Sequence, residues 1–215
     1  MDTELKAHIE TAFANAENGV SKITSELMQM EGMTGIKTRH FYNNLLNRAD
    51  SRYLEIGSWK GSSVCSAMCG NNATVLCIDN WSEFGGPKEE FLKNFNNYKG
   101  MNNANFLEQD CFKVDLTNVG KFNIYMYDGY HSEDAHFRAL VHFYNSLDDT
   151  FIFVVDDWNL EFVRNGTWRS FAKLKLTVLY DKEIFTPCNG NGNGTVTPVP
   201  NTWWNGIYVA ILKKN

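Results

Sequence analysis

The chain has 215 residues, of which 43% are hydrophobic and 21% charged, and its formal net charge is −5. These values predict one soluble domain, residues 1–215, and argue against a nucleic-acid partner, because phosphate binding requires a basic surface. No apolar run approaches the ~20 residues that cross a bilayer, and the polar N-terminus lacks a signal-peptide pattern. The five cysteines show no paired metal-ligand spacing, so we interpret them as reduced thiols of a cytoplasmic protein.

The predicted secondary structure begins with helices and continues as alternating strands and helices. Helical periodicity extends from about residue 3 to residue 30, and a second helix is predicted at about 38–47 after a glycine-containing loop. Short apolar strands are predicted at 53–56, 74–78, 104–108, 122–127, 151–155, 177–184 and 206–212.

The order of these elements predicts the fold class. The first five strands alternate with helix-like segments, which is typical of a parallel sheet with helices on both faces. No helix separates the last two strands, so we expect an antiparallel pair joined by the Asn-, Gly- and Pro-rich loop at 187–200. The expected fold is α/β and Rossmann-like, with a mostly parallel seven-stranded sheet and a C-terminal antiparallel strand pair.

A glycine turn follows the first strand in the sequence R-Y-L-E-I-G-S-W-K-G-S-S-V, residues 52–64. Glu55 lies at the end of the strand, and Gly57 and Gly61 bracket the turn. Nucleotide-like ligands bind at such turns, because glycines let the backbone approach the ligand and the next helix offers free N–H groups. The spacing E-I-G-x-x-x-G differs from the dinucleotide fingerprint G-x-G-x-x-G. It resembles motif I of the class I methyltransferases, which bind S-adenosylmethionine (SAM), although a strand–turn–helix occurs in any α/β protein.

Acidic residues also end the second and third strands. Asp79 lies 22 residues after Gly57, where an acid accepts hydrogen bonds from the ribose of a bound nucleoside. NAD and SAM proteins share this feature, and an Asp that begins a loop is the alternative. In the methyltransferase pattern, Asp110 after the third strand bonds the adenine amino group, and Cys111 presents its backbone N–H to the ring.

The fourth strand is followed by D-G-Y-H at 128–131, and the fifth ends in the acid pair Asp156 and Asp157. Since adjacent parallel strands end at one edge of the sheet, we expect Asp128 to lie near this pair. Three carboxylates at one place normally need a cation, or one stays protonated. Oxygen ligands favour Mg²⁺, Mn²⁺ or Ca²⁺ over zinc. Alternatively, the pair caps the next helix while Asp128 faces solvent.

Together these motifs resemble the macrocin O-methyltransferase (TylF-like) family of metal-dependent sugar O-methyltransferases, from about residue 33 to 155 and in the C-terminal hairpin. Catechol O-methyltransferase shares a more distant pattern. The resemblance implies that Asp128, Asp156 and Asp157 bind the metal, Mg²⁺ first among the candidates, and that His131 and Asp128 are catalytic, with His131 as general base.

The resemblance also implies a set of SAM contacts in the turns after the first four strands and in a loop at 33–37, which would close over the methionine end of SAM. Residues 1–50 are expected to form a helical cap over this site. The implied contacts are Met33, Thr34, Lys37, Glu55, Gly57, Ser58, Gly61, Ser62, Asp79, Asn80, Trp81, Asp110, Cys111 and Asp128.

The implied function is metal-assisted methyl transfer from SAM to a sugar hydroxyl of a glycan or glycoside. A catechol-like small-molecule O-methyltransferase is an alternative within the same class. An NAD-type oxidoreductase is disfavoured by the missing fingerprint and the antiparallel strand pair. A third alternative is a non-catalytic SAM- or glycan-binding module. We expect a small-molecule or glycan acceptor, no membrane span, and either a homo-oligomer or a part of a larger glycan-assembly protein.

Tryptophans next to these motifs provide further candidates for the site. Trp81 and Trp158 directly follow strand-end acids, so we expect them near the rim of a pocket. Trp203 and Trp204 are expected to line an acceptor site, whereas Trp168 is interpreted as a packing residue.

Overall fold

The computed structural model describes residues 2–187 and 203–215. Seven strands lie in these ranges: β1 Arg52–Ile56, β2 Thr74–Asp79, β3 Asn103–Glu108, β4 Phe122–Tyr127, β5 Leu147–Asp156, β6 Thr177–Ile184 and β7 Ile207–Lys213. The α-helices are α1 Asp2–Glu17, α2 Ser25–Met28, α3 Ile36–Leu46, α4 Ser62–Met68, α5 Lys88–Tyr98, α6 Glu133–Phe143 and α7 Glu161–Leu174. Short 3₁₀ turns lie at Cys111–Lys113, Leu116–Asn118 and Tyr144–Ser146.

The strands form one sheet in the order β3-β2-β1-β4-β5-β7-β6. Strands β1 to β5 pair in parallel, and β7 lies antiparallel between β5 and β6. This topology confirms the predicted α/β, Rossmann-like fold with its C-terminal antiparallel pair. The strand order reverses between β1 and β4, and the carboxyl ends of the strands at such a switch point form a crevice for ligands.

The sheet separates two hydrophobic cores, because successive side chains of a strand point to opposite faces. On β4, Ile124 and Met126 pack into one core with residues of α1, α3 and α4. Tyr125 and Tyr127 of the same strand pack into the other core, with residues of α6 and α7. Helices therefore cover both faces, as predicted, and the central strand β4 is buried along its whole length.

The N-terminal helical prediction was only partly correct. One helix ends at Glu17 and a four-residue helix follows at Ser25–Met28, so the periodicity at 3–30 does not correspond to a continuous helix. Gly19, just after the first helix, has a positive φ of 66°, which does not allow the helix to continue. Thr24 then caps the second helix, because its side chain accepts the N–H of Leu27.

Some predictions concern residues that the structure does not describe. Of the predicted polar loop at 187–200, only Pro187 lies inside the described ranges. In the described part of the chain, no helix has both the length and the hydropathy that a membrane span requires. The cysteines there are free thiols: Cys65, Cys69, Cys77 and Cys111.

Candidate functional site

A cavity of about 470 Å³ opens at the carboxyl ends of the parallel strands, next to the switch between β1 and β4. This volume is in the range of pockets that bind ligands of drug size. The loops after all five parallel strands contribute to its lining, among them Ser58, Asp79, Asp110, Asp128 and Asp157.

The glycine turn after β1 requires glycine at both ends. Gly57 has φ 84°, and a Cβ atom there would lie 1.9 Å from the carbonyl oxygen of Asp128. The turn therefore packs directly against the chain that leaves β4, and only glycine fits. Gly61 has φ 87° and precedes α4. Gly57 lines the cavity, whereas Gly61 is not among the lining residues.

Asp79 holds the glycine turn in place from the end of β2. Its Oδ2 atom accepts the backbone N–H groups of Ser58 at 2.8 Å and Trp59 at 2.9 Å, and its Oδ1 atom accepts that of Trp81 at 2.7 Å. An ionised carboxylate has about four acceptor positions, so one position on Oδ1 is left for a further donor. The predicted ribose-binding acid thus also shapes the turn.

Glu55 lies beneath the turn and not in the cavity wall. Its side chain is completely buried and accepts hydrogen bonds from the hydroxyls of Tyr53, Ser58 and Ser63 at 2.7, 2.9 and 2.8 Å. Burial raises the pKa of Glu55 to about 7, although these hydrogen bonds oppose the shift. In this structure Glu55 ties β1, the turn and α4 together, and the predicted SAM contact through its side chain is absent from the cavity lining.

One side of the cavity is formed by the predicted loop at 33–37. Met33 and Thr34 line the cavity, and the Thr34 hydroxyl lies 2.9 Å from the hydroxyl of Ser62, another lining residue. Lys37 does not reach the cavity, because its ammonium group pairs with Glu17.

Arg39, which the sequence analysis missed, fixes this loop from below. The guanidinium is buried and donates to the backbone carbonyls of Leu27, Met28, Met30 and Thr34 at 3.3, 3.2, 2.9 and 3.2 Å. A buried guanidinium needs hydrogen-bond acceptors, and here backbone carbonyls provide them. These carbonyls must point toward Arg39, so Arg39 constrains the backbone of the residues that precede the cavity wall.

Residues after β2 and β3 form the opposite side. Asn80, Trp81, Asp110 and Cys111 all line the cavity, as predicted for the nucleoside end. The Asp110 carboxylate accepts the N–H of Phe112 at 3.0 Å and so caps the turn after β3. Burial raises the pKa of the Cys111 thiol to about 12, which keeps it neutral.

The acids after β4 and β5 converge around His131. Its Nε2 atom lies 2.7 Å from Asp157 Oδ2 and 3.3 Å from Asp128 Oδ1. Burial lowers the pKa of His131, but hydrogen bonds to the two carboxylates outweigh this effect and raise it to about 11. His131 is therefore an imidazolium held between two acids.

The three predicted metal ligands differ in their environments. Burial and the charges of Asp128 and Asp157 raise the pKa of Asp156 well above its ordinary value. Asp156 lines the cavity, and its Oδ1 atom is buried without a hydrogen-bond partner. Burial also raises the pKa of Asp128 to about 6. For Asp157, hydrogen bonds from His131 and Asn205 outweigh burial and lower the pKa.

This donor set fits a hard divalent cation. Donor atoms of Asp128, His131 and Asp157 lie within 4.8 Å of one another among the described residues. Asp156 lines the same cavity, but its carboxylate is not part of this group. The structure thus groups His131, and not Asp156, with Asp128 and Asp157. The acid pair does not cap the next helix, whose N-cap is Leu160.

Trp81 and Trp204 both line the cavity, as expected for Trp81 beside a pocket. The prediction for Trp158 was wrong, because its ring is fully buried and stacks on Tyr208 at a centroid distance of 4.3 Å. Trp203 is also buried and lies outside the cavity lining. Neighbouring tryptophans therefore differ in role, because successive side chains leave the backbone in different directions.

Residues 54–158, about half of the chain, match the family model of a methyltransferase domain. The segment is thus similar to a methyltransferase domain, and the seven-stranded sheet that contains it has the Rossmann-like topology predicted above for a class I methyltransferase. The matched segment includes the glycine turn, Asp79 and the acids after β4 and β5. None of the curated proteins compared with the chain matches it.

Solved structures similar to the chain support the fold assignment. The O-methyltransferase TomG from Streptomyces achromogenes, solved with SAM, has 11% identity and a TM-score of 0.56, covering 94% of this chain and 89% of TomG. An O-methyltransferase from Bacillus cereus, solved with S-adenosylhomocysteine (SAH), has 10% identity and a TM-score of 0.56, covering 99% and 92%. At identities this low, the similarity shows a shared fold and no more.

A third structure, SMU.776 in complex with SAH, has 14% identity and a TM-score of 0.56 and covers 85% of this chain. The alignment covers only 50% of SMU.776 and 48% of a second matched structure, from Streptococcus mutans. The chain thus spans about half the length of these two proteins.

Proposed function

We propose that this protein is a SAM-dependent, divalent-metal-assisted O-methyltransferase that acts on a sugar hydroxyl of a glycan or glycoside. The observation that carries the proposal is the presence, in one cavity, of the Asp79-held glycine turn and the Asp128–His131–Asp157 cluster. A nucleoside site and an acid–base cluster in one cavity fit group transfer from a nucleotide-like donor to a second substrate.

The SAM end of the cavity is supported by the residues after β1, β2 and β3. Gly57 lines the cavity, and Asp79 retains an acceptor position for a ribose hydroxyl. Asp110 and Cys111 line the place expected for the adenine. TomG and the Bacillus cereus protein, which share the fold, were solved with SAM and SAH.

The metal site is supported by the acids after β4 and β5. Asp128, Asp156 and Asp157 would hold the ion, and the buried, unpartnered Asp156 Oδ1 provides an oxygen ligand. A divalent ion bound by these carboxylates lowers the pKa of a coordinated hydroxyl. Mg²⁺ suits this oxygen-rich set best, with Mn²⁺ and Ca²⁺ as alternatives.

His131 is the proposed general base. Its Nε2 atom faces Asp128 and Asp157. In the absence of a cation, these carboxylates raise the pKa of His131 and favour its protonated form. Neutralising these two carboxylates removes the charges that favour the imidazolium, so Nε2 becomes able to accept the hydroxyl proton of the acceptor. His131 thus serves as a base only when its two acidic neighbours are engaged elsewhere.

Aromatic side chains beside this cluster support a sugar as the acceptor. Tyr130, next to His131 in the chain, lines the cavity and is 63% exposed, and Trp204 also contributes to the wall. Aromatic faces pack against the apolar face of a sugar ring. Oxygen as the methyl-accepting atom agrees with the names of TomG and the Bacillus cereus protein, which are O-methyltransferases.

Calorimetry with SAH, with and without Mg²⁺, tests the proposal on wild type and on Asp156→Asn. We expect micromolar SAH binding to both proteins and Mg²⁺ binding that weakens at least tenfold in the variant, because the amide keeps the side-chain shape but removes the charge. Methyl transfer from labelled SAM to a panel of sugars, with catechol as comparison, then identifies the acceptor class. Absence of SAH binding to the wild type would overturn the proposal.

A further inference from the structure

Asn205 forms the start of a chain of hydrogen bonds that ends at His131. It is 4% exposed and lies two residues before β7, outside the lining of the cavity. Its Nδ2 atom donates to Asp157 Oδ1 at 2.6 Å, and the other oxygen of Asp157, Oδ2, lies 2.7 Å from His131 Nε2. The three side chains therefore form a continuous series.

We propose that Asn205 is a positioning residue that fixes the Asp157 carboxylate, so that Oδ2 faces Nε2 of His131. The catalytic part of this inference rests on the proposed function, in which Asp157 would help to hold the ion and Asn205 would orient this ligand. The structural part, orientation of the His131 ring through Asp157, applies to the protein whatever reaction it catalyses.

Asp157 needs such support because its backbone is strained. It has φ 56°, in the left-handed region that residues other than glycine rarely adopt. The chain after it is tied to the turn that carries Asn205: the N–H of Trp158 donates to the carbonyl of Gly206 at 3.3 Å, and that of Asn159 to the carbonyl of Asn205 at 3.0 Å. Backbone hydrogen bonds thus hold the segment after Asp157 against the turn that carries Asn205.

The turn that presents Asn205 is itself fixed on both sides. The N–H of Gly206 donates to the Trp203 carbonyl at 3.1 Å, which closes the turn. The Thr186 hydroxyl donates to the Trp204 carbonyl at 2.7 Å, and the Trp203 ring is buried against Phe13. The amide therefore has little freedom to move away from Asp157.

The side chain of Asn205 meets only part of its hydrogen-bonding capacity. The Oδ1 atom of Asn205 is buried and has no hydrogen-bond partner among the described residues, which is unfavourable. Reversing the amide would place this oxygen against Asp157 Oδ1, so that two acceptors faced each other. The hydrogen bond that Asn205 donates to Asp157 is therefore its one side-chain interaction in the described structure, and it orients the carboxylate that contacts His131.

The inference is tested with Asn205→Ala and Asn205→Leu, which both remove the donor. Leucine has the branching and the number of side-chain heavy atoms of asparagine, although its methyl groups are bulkier, and it has no unpaired oxygen. It leaves no cavity, so the alanine and leucine variants test the loss of the donor with opposite effects on packing. Asn159→Ala is the matched control, since it removes a neighbouring amide that bonds Thr186 and does not touch Asp157.

The first readout is the ring N–H signal of His131 in ¹H–¹⁵N spectra, which is assigned by its loss in His131→Gln and is tractable because the chain has five histidines. In the wild type and in Asn159→Ala, we expect a downfield, slowly exchanging proton that is hydrogen-bonded to Asp157. In both Asn205 variants this signal should move upfield or vanish. An unchanged signal in either folded variant would overturn the inference.

The second readout is steady-state methyl transfer. Loss of a residue that orients a metal ligand typically lowers metal affinity or activity by about 10–100-fold, so we expect kcat to fall by that factor in the Asn205 variants while the KM for SAM stays unchanged. A change in the KM for SAM with normal kcat would contradict a positioning role. A wild type without turnover would instead refute the proposed function, and the His131 signal would still decide the inference.

Discussion

The Asp79 carboxylate at the end of β2 accepts the backbone N–H of Ser58, in the turn after β1, at 2.8 Å. The contact joins two neighbouring strand ends before any ligand binds. It means that the acid expected to recognise a ribose also prepares the turn that borders the ligand.

Replacing Asp79 should therefore impair SAH binding more than the loss of one ligand contact would. In Asp79→Ala the N–H groups of Ser58 and Trp59 lose their acceptor, and hydrogen bonds to charged groups contribute about 1.5–3 kcal/mol. We expect SAH affinity to fall by at least about tenfold, with an intermediate loss in Asp79→Asn, as measured by calorimetry. Asp115→Ala, which removes an exposed cap of a local turn, is the control. Normal affinity in Asp79→Ala would contradict this role.

The substitution His131→Gln tests whether His131 is the general base. Since general acid–base catalysis contributes about 10²–10⁴-fold, kcat should fall by a factor in this range. SAH affinity should stay unchanged, because Asp79 and the glycine turn bind independently of the ring. His142→Gln, on the helix that follows His131 and outside the cavity lining, should retain wild-type turnover. Equal kcat values for the two variants would exclude His131 as the base.

Removal of divalent ions tests the metal assignment separately from the methyltransferase assignment. Treatment with EDTA should abolish methyl transfer, and Mg²⁺ or Mn²⁺ should restore it, because in the proposed function a cation held by Asp128, Asp156 and Asp157 would bind the acceptor hydroxyl. SAH binding, measured in the same samples, should not change. Full turnover in EDTA would remove the metal from the proposal and leave a metal-independent methyltransferase.

The fold and the strand-end acids were predictable because their signals are local. Each parallel strand is a short apolar run, and the residue that follows it reaches the same sheet edge whatever the intervening helix contains. Asp79, Asp128 and Asp157 could therefore be assigned to one site from their positions alone. The order of the elements also determined that the last strand pair is antiparallel.

The remaining features depend on contacts between distant segments. Asn205 meets Asp157 only because β7 pairs with β5, and no local pattern around Asn205 indicates that register. Trp158 was misassigned because the positive φ of Asp157 redirects the chain and turns the indole toward Tyr208. Arg39 carries no signal either, since its partners are backbone carbonyls.

The adjacent Trp203 and Trp204 should respond differently to substitution. Trp204 lines the cavity, so Trp204→Ala should raise the KM for the acceptor several-fold and leave the KM for SAM unchanged. Trp203 is buried between Phe13 and Phe41, so Trp203→Ala should lower the free energy of unfolding by about 3–5 kcal/mol. Steady-state kinetics and urea unfolding distinguish the two effects. An unchanged acceptor KM in Trp204→Ala would place the acceptor elsewhere.

Glu55 should make the stability of the protein depend on pH. Its pKa rises from 4.5 to about 7 on folding because the carboxyl is buried. The folded state therefore binds a proton more tightly than the unfolded state. The resulting stabilisation is complete below pH 4.5 and is lost as the pH rises through 7, a change of about 3 kcal/mol. Glu55→Gln stays neutral, so its free energy of unfolding should lack this decline.

Urea unfolding of wild type and Glu55→Gln between pH 4.5 and 8 measures this effect directly. The stability of the wild type should fall relative to the variant as the pH rises, because an ionised Glu55 would be a buried charge beneath the glycine turn. Glu108→Gln, at an exposed site paired with Lys88, is the control and should follow the wild-type pH dependence. A constant difference between wild type and Glu55→Gln across this range would mean that Glu55 does not change its protonation there. The carboxyl would then be ionised throughout, with the hydroxyls of Tyr53, Ser58 and Ser63 compensating for its burial.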